Sequence, residues 1–307
     1  MLRFALKRLL SAVPTLLVLI TLAFFLIRVA PGGPFDQERA LPPEIEANLN
    51  AAYHLDEPLV QQYLRYLSNI VRGDFGPSFQ YKDFSVNELI GQGFSVSLTI
   101  GGLAILLALI VGCTLGTLAA LRQNRPTDYA VMTVAMTGIS IPNFVVAPLL
   151  ILAFAVGLGW LPAGGWEGDG LYKAILPVVA LALPQIAYIS RLMRSSMIET
   201  LRSNYIRTAR AKGMSEWHII TRHALRPAFL PVLSFLGPAA AAVITGSVVI
   251  EKIFGIPGLG RYFVQGALNR DYTLVMGVVV FYGMLIILFN FIVDLLYGAL
   301  DPKVRYD

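Results

Sequence analysis

The sequence predicts an all-α polytopic membrane protein with six transmembrane helices and both termini in the cytoplasm. Three observations carry this. Hydrophobic residues make up 56% of the 307 and charged residues only 14%, whereas a water-soluble domain carries about 25% charge. Six apolar segments approach or exceed the roughly 20 helical residues that cross a bilayer. Lys and Arg divide unequally between the two sets of connecting segments, fifteen against eight, and the richer set stays in the cytoplasm.

In chain order the spans are 9–30, 94–121, 129–158, 174–189, 229–250 and 273–297. The first is longer than a signal-peptide core, and no small-x-small cleavage site follows it, so it reads as a retained anchor. Its Arg28, near the outer end, is expected to snorkel to the interface. The second holds Gly112 and Gly116 at the G-x-x-x-G spacing of close helix packing. The third is long for one crossing and contains Pro142 and Pro148, which predict a kink or tilt. Pro177 and Pro184 of the fourth are tolerable where neighbouring helices satisfy the freed carbonyls. The sixth carries Asp294 about one turn inside its cytoplasmic end, with Asn290 one turn earlier on the same face. A carboxylate costs about 2.5–3.5 kcal/mol at the bilayer centre and less near its edge. Hydrogen bonding between helices is the expected role of the pair, and gating the alternative.

The first outer loop, 31–93, is too long for a simple connection. It holds the acids Asp36, Glu38, Glu44, Glu46, Asp56, Glu57, Asp74, Asp83 and Glu88. LPPEIEANLNAAYHL and VQQYLRYLSNIV read as two short amphipathic helices in it, a cap on the outer face. A second outer element, GIPGLGRYFVQGAL, reads as a short re-entrant or cap helix. No strand precedes its glycines, so it is no dinucleotide fingerprint.

The cytoplasmic loop 191–228 separates the fourth and fifth spans and concentrates eight basic residues. NYIRTARAK reads as a helix with Asn204 as N-cap. Gly213 ends it with left-handed geometry, and Ser215 caps a second helix, EWHIITRHAL, expected to stop before Pro227. Arg207 and Arg210 share a face of the first helix. Met214, Trp217, Ile219 and Ile220 give the second piece an apolar side, which outside a membrane meets a protein partner or the lipid surface.

Other functions find little support in the residues. The single cysteine, Cys113, excludes an internal disulfide and a cysteine-based metal site. His218 and His223 are poorly spaced as ligands, His54 lies in the outer loop, and no H-E-x-x-H occurs. No G-x-x-x-x-G-K-[ST] phosphate loop is present, so ATP hydrolysis is not expected of this chain. A gradient-driven transporter normally needs several intramembrane ionisable groups, and Asp294 is nearly alone. An intramembrane enzyme needs a catalytic constellation within the spans, and the histidines all lie in loops.

The motifs nevertheless have a family. RTARAKG followed by RHAL resembles the cytoplasmic "EAA" loop of bacterial ABC-importer membrane subunits, in the version of their peptide and nickel branch. Aligned on Gly213, its first positions are Arg207, Thr208 and Ala209, and its later leucine is Leu225. GDFGPSF at 73–79, EKIFGIPGLGRYFVQGALNRDY at 251–272 and the closing DPKVRY are similar to the same branch. The resemblance implies a type I ABC importer permease fold over 1–307, in the bacterial inner membrane, with an oligopeptide as cargo; dipeptides, nickel complexes and glutathione pass through other members. It implies partners: a second homologous permease, two cytoplasmic P-loop ATPase subunits holding Mg-ATP, and a periplasmic peptide-binding protein. It implies no cofactor on this chain and no nucleic acid. Arg207, Thr208, Ala209, Arg210, Ala211, Lys212, Gly213, Met214, Trp217 and Leu225 would then form the coupling helix that an ATPase cleft receives, with small Ala209 and Ala211 for close contact.

Overall fold

In the computed structural model, residues 2–29, 43–168 and 170–300 are described. The acids at 36 and 38 and the closing 301–307 lie outside that set. Regular structure among the described residues is helical, apart from one isolated bridge between Pro77 and Ser85. The helices are α1 (Leu2–Val29), α2 (Pro43–Ala52), α3 (Leu59–Val71), α4 (Val86–Leu121), α5 (Pro126–Ser140) and α6 (Asn143–Leu150), the last continuing as a π-helix over Ile151–Gly157. They continue as α7 (Gly170–Lys173), α8 (Ile175–Leu201), α9 (Asn204–Ala211) and α10 (Glu216–His218). A π-helical turn, Ile219–Ala224, leads into α11 (Leu225–Gly246), followed by α12 (Val248–Ile253), α13 (Leu259–Leu268) and α14 (Tyr272–Leu300).

Among the described residues five helical stretches are long and apolar enough to cross a membrane, Leu10–Val29, Val86–Leu121, Ile175–Leu201, Glu216–Ile253 and Tyr272–Gly298, and a sixth if the bent pair α5 and α6 is one span. The expected third span is broken rather than kinked, with α5 and the α6 stretch meeting at 104°. Ile141 precedes a proline and is driven extended (φ −102°, ψ 120°), and Pro142 follows at φ −60°, ψ 143°. Two successive extended residues end one helix and begin another. The fourth span also differs from expectation. α8 runs on to Leu201, so Arg191 and Arg194 ride on its last turns instead of in a loop.

The chain divides into two compact units. In the first (1–8, 97–256 and 285–307), α8 is the hub, and glycines let other helices reach it. A Cβ on Gly116 of α4 would lie 2.5 Å from the Ser190 carbonyl oxygen, and one on Gly112 2.8 Å from Ile189 Cβ. A Cβ on Gly138 of α5 would lie 2.5 Å from the Leu183 carbonyl oxygen. The predicted close packing at Gly112 and Gly116 is therefore present, with α8 as its partner. Buried Glu251 of α12 accepts from Ser97 Oγ at 2.8 Å and Ser247 Oγ at 3.0 Å.

The second unit (9–96 and 257–284) contains both predicted cap helices, α2 and α3, and the predicted short helix α13. Val86, Leu89, Ile90, Leu259, Leu274 and Val278 form one core, and Ile20, Phe24, Tyr66, Met276 and Val280 another. Asp271, fully buried ahead of α14, accepts from Leu274 N at 3.1 Å, Thr273 Oγ1 at 3.0 Å, Phe79 N and Gln80 N at 3.2 Å each, and from Ser78 Oγ. One carboxylate thus caps a helix and pins the 78–80 loop. Arg28 is half-buried and turns onto α3, where Gln62 Oε1 accepts from its guanidinium at 3.0 Å.

Candidate functional site

The basic loop singled out by the sequence lies wholly in the first unit. Ser203, extended at φ −67°, ψ 154°, opens α9; the predicted N-cap, Asn204, is instead its first helical residue. At the other end Gly213 adopts φ +78°. Its N–H bonds the Arg210 carbonyl at 2.9 Å, and the Met214 N–H bonds the Ala209 carbonyl at 3.3 Å. Those two bonds make a Schellman motif, which satisfies carbonyls the helix end would otherwise orphan. A Cβ on Gly213 would meet nothing within 4 Å. Glycine is required here for its backbone conformation alone.

Ser215 begins α10 as expected, its Oγ accepting from His218 N at 3.4 Å. Across the turn, Arg210 Nε and Nη2 donate to Glu216 at 2.7 and 3.1 Å. That hydrogen-bonded carboxylate pushes the Arg210 guanidinium further up from its ordinary pKa, so its charge is permanent. The second helix does not stop before Pro227. The π-helical turn shifts the hydrogen-bond register and leaves Pro227 in the first turn of α11, where an N–H has no obligatory partner.

The candidate residues divide by exposure. Arg207, Thr208, Arg210, Ala211, Lys212, Gly213, Met214 and Trp217 are exposed, Trp217 at 76%. Ala209 is buried with Ile206, on the side of α9 that packs on the π-helical turn. Its smallness serves a contact inside the chain, contrary to the expectation that it meets a partner. Leu225 is half-buried at the start of α11, apart from the exposed set.

Sequence reading missed the clamp behind this loop. Arg194 on α8 makes a two-pronged ion pair with Asp128 at the start of α5, Nε–Oδ1 and Nη2–Oδ2 both 2.6 Å, and Asp128 is 1% exposed. Asn124 N adds a bond to Oδ2 at 2.9 Å, and Arg202 Nη2 donates to Gln123 Oε1 at 3.0 Å. The α4–α5 turn is thereby tied to the stem of the basic loop. The weak signal available was an acid at the first turn of a helix that begins with proline.

Asp294 and Asn290 separate. Asp294 pairs with Arg8 Nε of α1 at 3.1 Å. Asn290 lies where α14 passes Gly237 of α11, whose added Cβ would come within 3.2 Å of Asn290 Oδ1. Both positions are contacts between helices. Among the described residues, no group of three or more His, Cys, Asp or Glu is placed to hold a metal ion.

Residues 112–306 match the family described as binding-protein-dependent transport system inner membrane component, and residues 1–97 match its N-terminal companion. The chain belongs to the binding-protein-dependent transport permeases. This permease is 58% identical over 306 residues to the oligopeptide transport system permease protein OppB of Haemophilus influenzae and to that of Escherichia coli K12, with 100% of both chains covered. It is 49% identical to the dipeptide transport system permease protein DppB of Bacillus subtilis, over 99% of this chain and 98% of that one. Its fold is similar to the inward-facing MetNI methionine ABC transporter (TM-score 0.59, 19% identity, 69% of this chain and 96% of the other). A similar likeness holds to an amino acid ABC transporter (TM-score 0.54, 20% identity, 69% and 94% covered). The permease is thus a multi-pass membrane protein of the type I ABC importer fold, a component that works with other transporter subunits.

Proposed function

We propose that this chain is one of two permease subunits lining an oligopeptide path through the bacterial inner membrane, driven by ATP hydrolysed on separate subunits. The observation that carries the cargo is full-length 58% identity to relatives named as oligopeptide permeases, against 49% to a dipeptide permease. The whole chain serves as one transmembrane permease domain with cytoplasmic termini. Loop 31–93 forms a periplasmic cap where a peptide-binding protein docks, and loop 191–228 forms the cytoplasmic coupling element.

In this reading the exposed face of α9 and α10 is the lever. Arg207, Arg210 and Lys212 are positive, Ala211 lets a partner come close, and Met214 and Trp217 supply apolar anchors of the kind that dominate interfaces. One such lever seats in each of two P-loop ATPases, whose Mg-ATP-driven closure moves it and reorients the spans. The chain itself holds no cofactor, catalyses no reaction and binds no nucleic acid. The test is isolation of the tagged protein from its native membrane in mild detergent, with its companions identified by mass spectrometry and peptide uptake measured in proteoliposomes. Two ATPases, a second permease and uptake that needs ATP but ignores a protonophore support the proposal. A chain that emerges alone and still transports sinks it.

A further inference from the structure

The second unit has a half-open cavity of about 160 Å³, lined among others by Arg28 of α1, by Gln62, Tyr66 and Asn69 of α3, and by Thr273 and Met276 of α14. Two polar groups in its wall are unbalanced. The Arg28 guanidinium lies 3.6 Å from the Phe24 ring centroid. It donates to Gln62 Oε1 at 3.0 and 3.2 Å, to the Phe24 carbonyl at 3.4 Å and to Met276 Sδ at 3.7 Å. Every one of those acceptors is neutral, and among the described residues no carboxylate pairs with Arg28. Tyr66 is 8% exposed, and its buried hydroxyl has no hydrogen-bond partner among the described residues. Burial pushes the phenol well above its usual pKa, against the opposing pull of Arg28, so it remains a protonated donor. Among the described residues a half-buried cation thus lacks a counter-charge and a buried hydroxyl lacks an acceptor; each costs free energy, and a single oxyanion between them would relieve both.

The helix that carries four of the lining residues, Gln62, Arg65, Tyr66 and Asn69, points to the source of the anion. Gln62, Tyr66 and Asn69 recur at i, i+4 and i+7, a polar stripe along one side of α3. Roughly opposite, Val60, Leu64 and Val71 form an exposed apolar strip. An exposed apolar strip of this kind suits a helix that lies in the plane of the membrane surface, at the depth of lipid phosphates. Arg28 itself is next to the last residue of a membrane-spanning stretch. The cavity has room for an oxyanion and several waters, since one water needs only about 10–15 Å³ of such space.

We propose that this cavity binds a phosphate-type oxyanion, supplied by a membrane phospholipid headgroup or by free phosphate, through the Arg28 charge and the Tyr66 hydroxyl. The site is independent of the coupling loop and of the identity of the cargo. The test uses the permease in its purified complex, as wild type, Tyr66→Phe and Arg28→Gln. Tyr66→Phe keeps the ring and its packing and removes only the donor. Delipidated protein is titrated in parallel with phosphatidylglycerol in mixed micelles and with inorganic phosphate, and binding is read as a rise in Tm. The wild type is expected to be stabilised by at least one ligand, with affinity about tenfold weaker in Tyr66→Phe, the effect of losing one charge-assisted hydrogen bond, and lost in Arg28→Gln. A response to lipid alone assigns the headgroup, a response to phosphate alone assigns the free ion, and a response to both assigns the shared group; each supports the proposal. No response to either ligand, or a variant that binds as the wild type does, overturns it and leaves Arg28 and Gln62 as a structural pair.

Discussion

Replacing Gly213 isolates the proposed coupling turn from everything else in the molecule. Its φ of +78° is disfavoured for residues with a Cβ, yet a Cβ there would touch nothing within 4 Å. The cost is therefore purely conformational, about 1–2 kcal/mol for alanine and more for β-branched valine, and least for asparagine, which tolerates the left-handed region. A penalty of 1–2 kcal/mol shifts the equilibrium of the closed Schellman turn roughly 5- to 30-fold toward open forms. Unfolding of the whole domain is not at stake, because the turn is exposed. The assay is peptide uptake and peptide-stimulated ATP hydrolysis in proteoliposomes, with membrane insertion quantified alongside. Uptake is expected to fall in the order Gly, Asn, Ala, Val at constant insertion; aspartate tolerates the left-handed region as asparagine does, so Gly213→Asp should uncouple transport through the negative charge it adds beside Arg210 and Lys212. Wild-type uptake by both Gly213→Ala and Gly213→Val would refute the reasoning, since the strain would then have no consequence for coupling.

Three other perturbations test separate parts of the frame. Asp128→Ala strands the Arg194 guanidinium and is expected to cost about 3 kcal/mol, seen as a lower Tm in detergent; Arg194→Lys should recover little of the two-pronged geometry. Gly116→Leu drives a side chain into the Ser190 backbone carbonyl, 2.5 Å from where its Cβ would sit, and should cost at least about 1–3 kcal/mol, read as lost expression or lowered Tm. Trp217→Ala should leave Tm unchanged, within the about 0.5 kcal/mol of a surface substitution. It should nevertheless weaken ATPase co-purification by about 2 kcal/mol, roughly 30-fold, as loss of a central aromatic anchor does.

What was legible in the sequence was what local chemistry specifies. The spans show because lipid demands long apolar runs, and Gly213 shows because few residues accept its φ. Ser215 and the two cap helices follow from capping and periodicity. What escaped notice depends on partners distant in the chain. Asp128 and Arg194 are 66 residues apart, and no spacing rule links them. The same holds for Asp271 with the 78–80 loop and for Glu251 with Ser97. Of the prolines, Pro142 disrupts its span as expected but more sharply, and Pro227, expected to end a helix, does not. Pro142 produces a near right angle because Ile141 extends with it, whereas Pro227 breaks nothing because a π-helical turn precedes it.

Ala209 shows why the proposed coupling element must be read in two layers. From sequence, small residues at 209 and 211 look equivalent, both suited to a close approach. In the fold only Ala211 faces outward, while Ala209 and Ile206 hold α9 onto the π-helical turn. A lever transmits force only if its inner face is fixed. The inner side of α9 supplies that fixing by packing, and Arg194 with Asp128 extends it into α5. Substitutions at 209 should therefore loosen the lever and those at 211 should loosen its seat. Ala209→Leu is expected to lower Tm, and Ala211→Leu to leave Tm alone while reducing ATPase co-purification. Equal behaviour of the two variants in both measurements would mean that the face assigned to the partner is wrong.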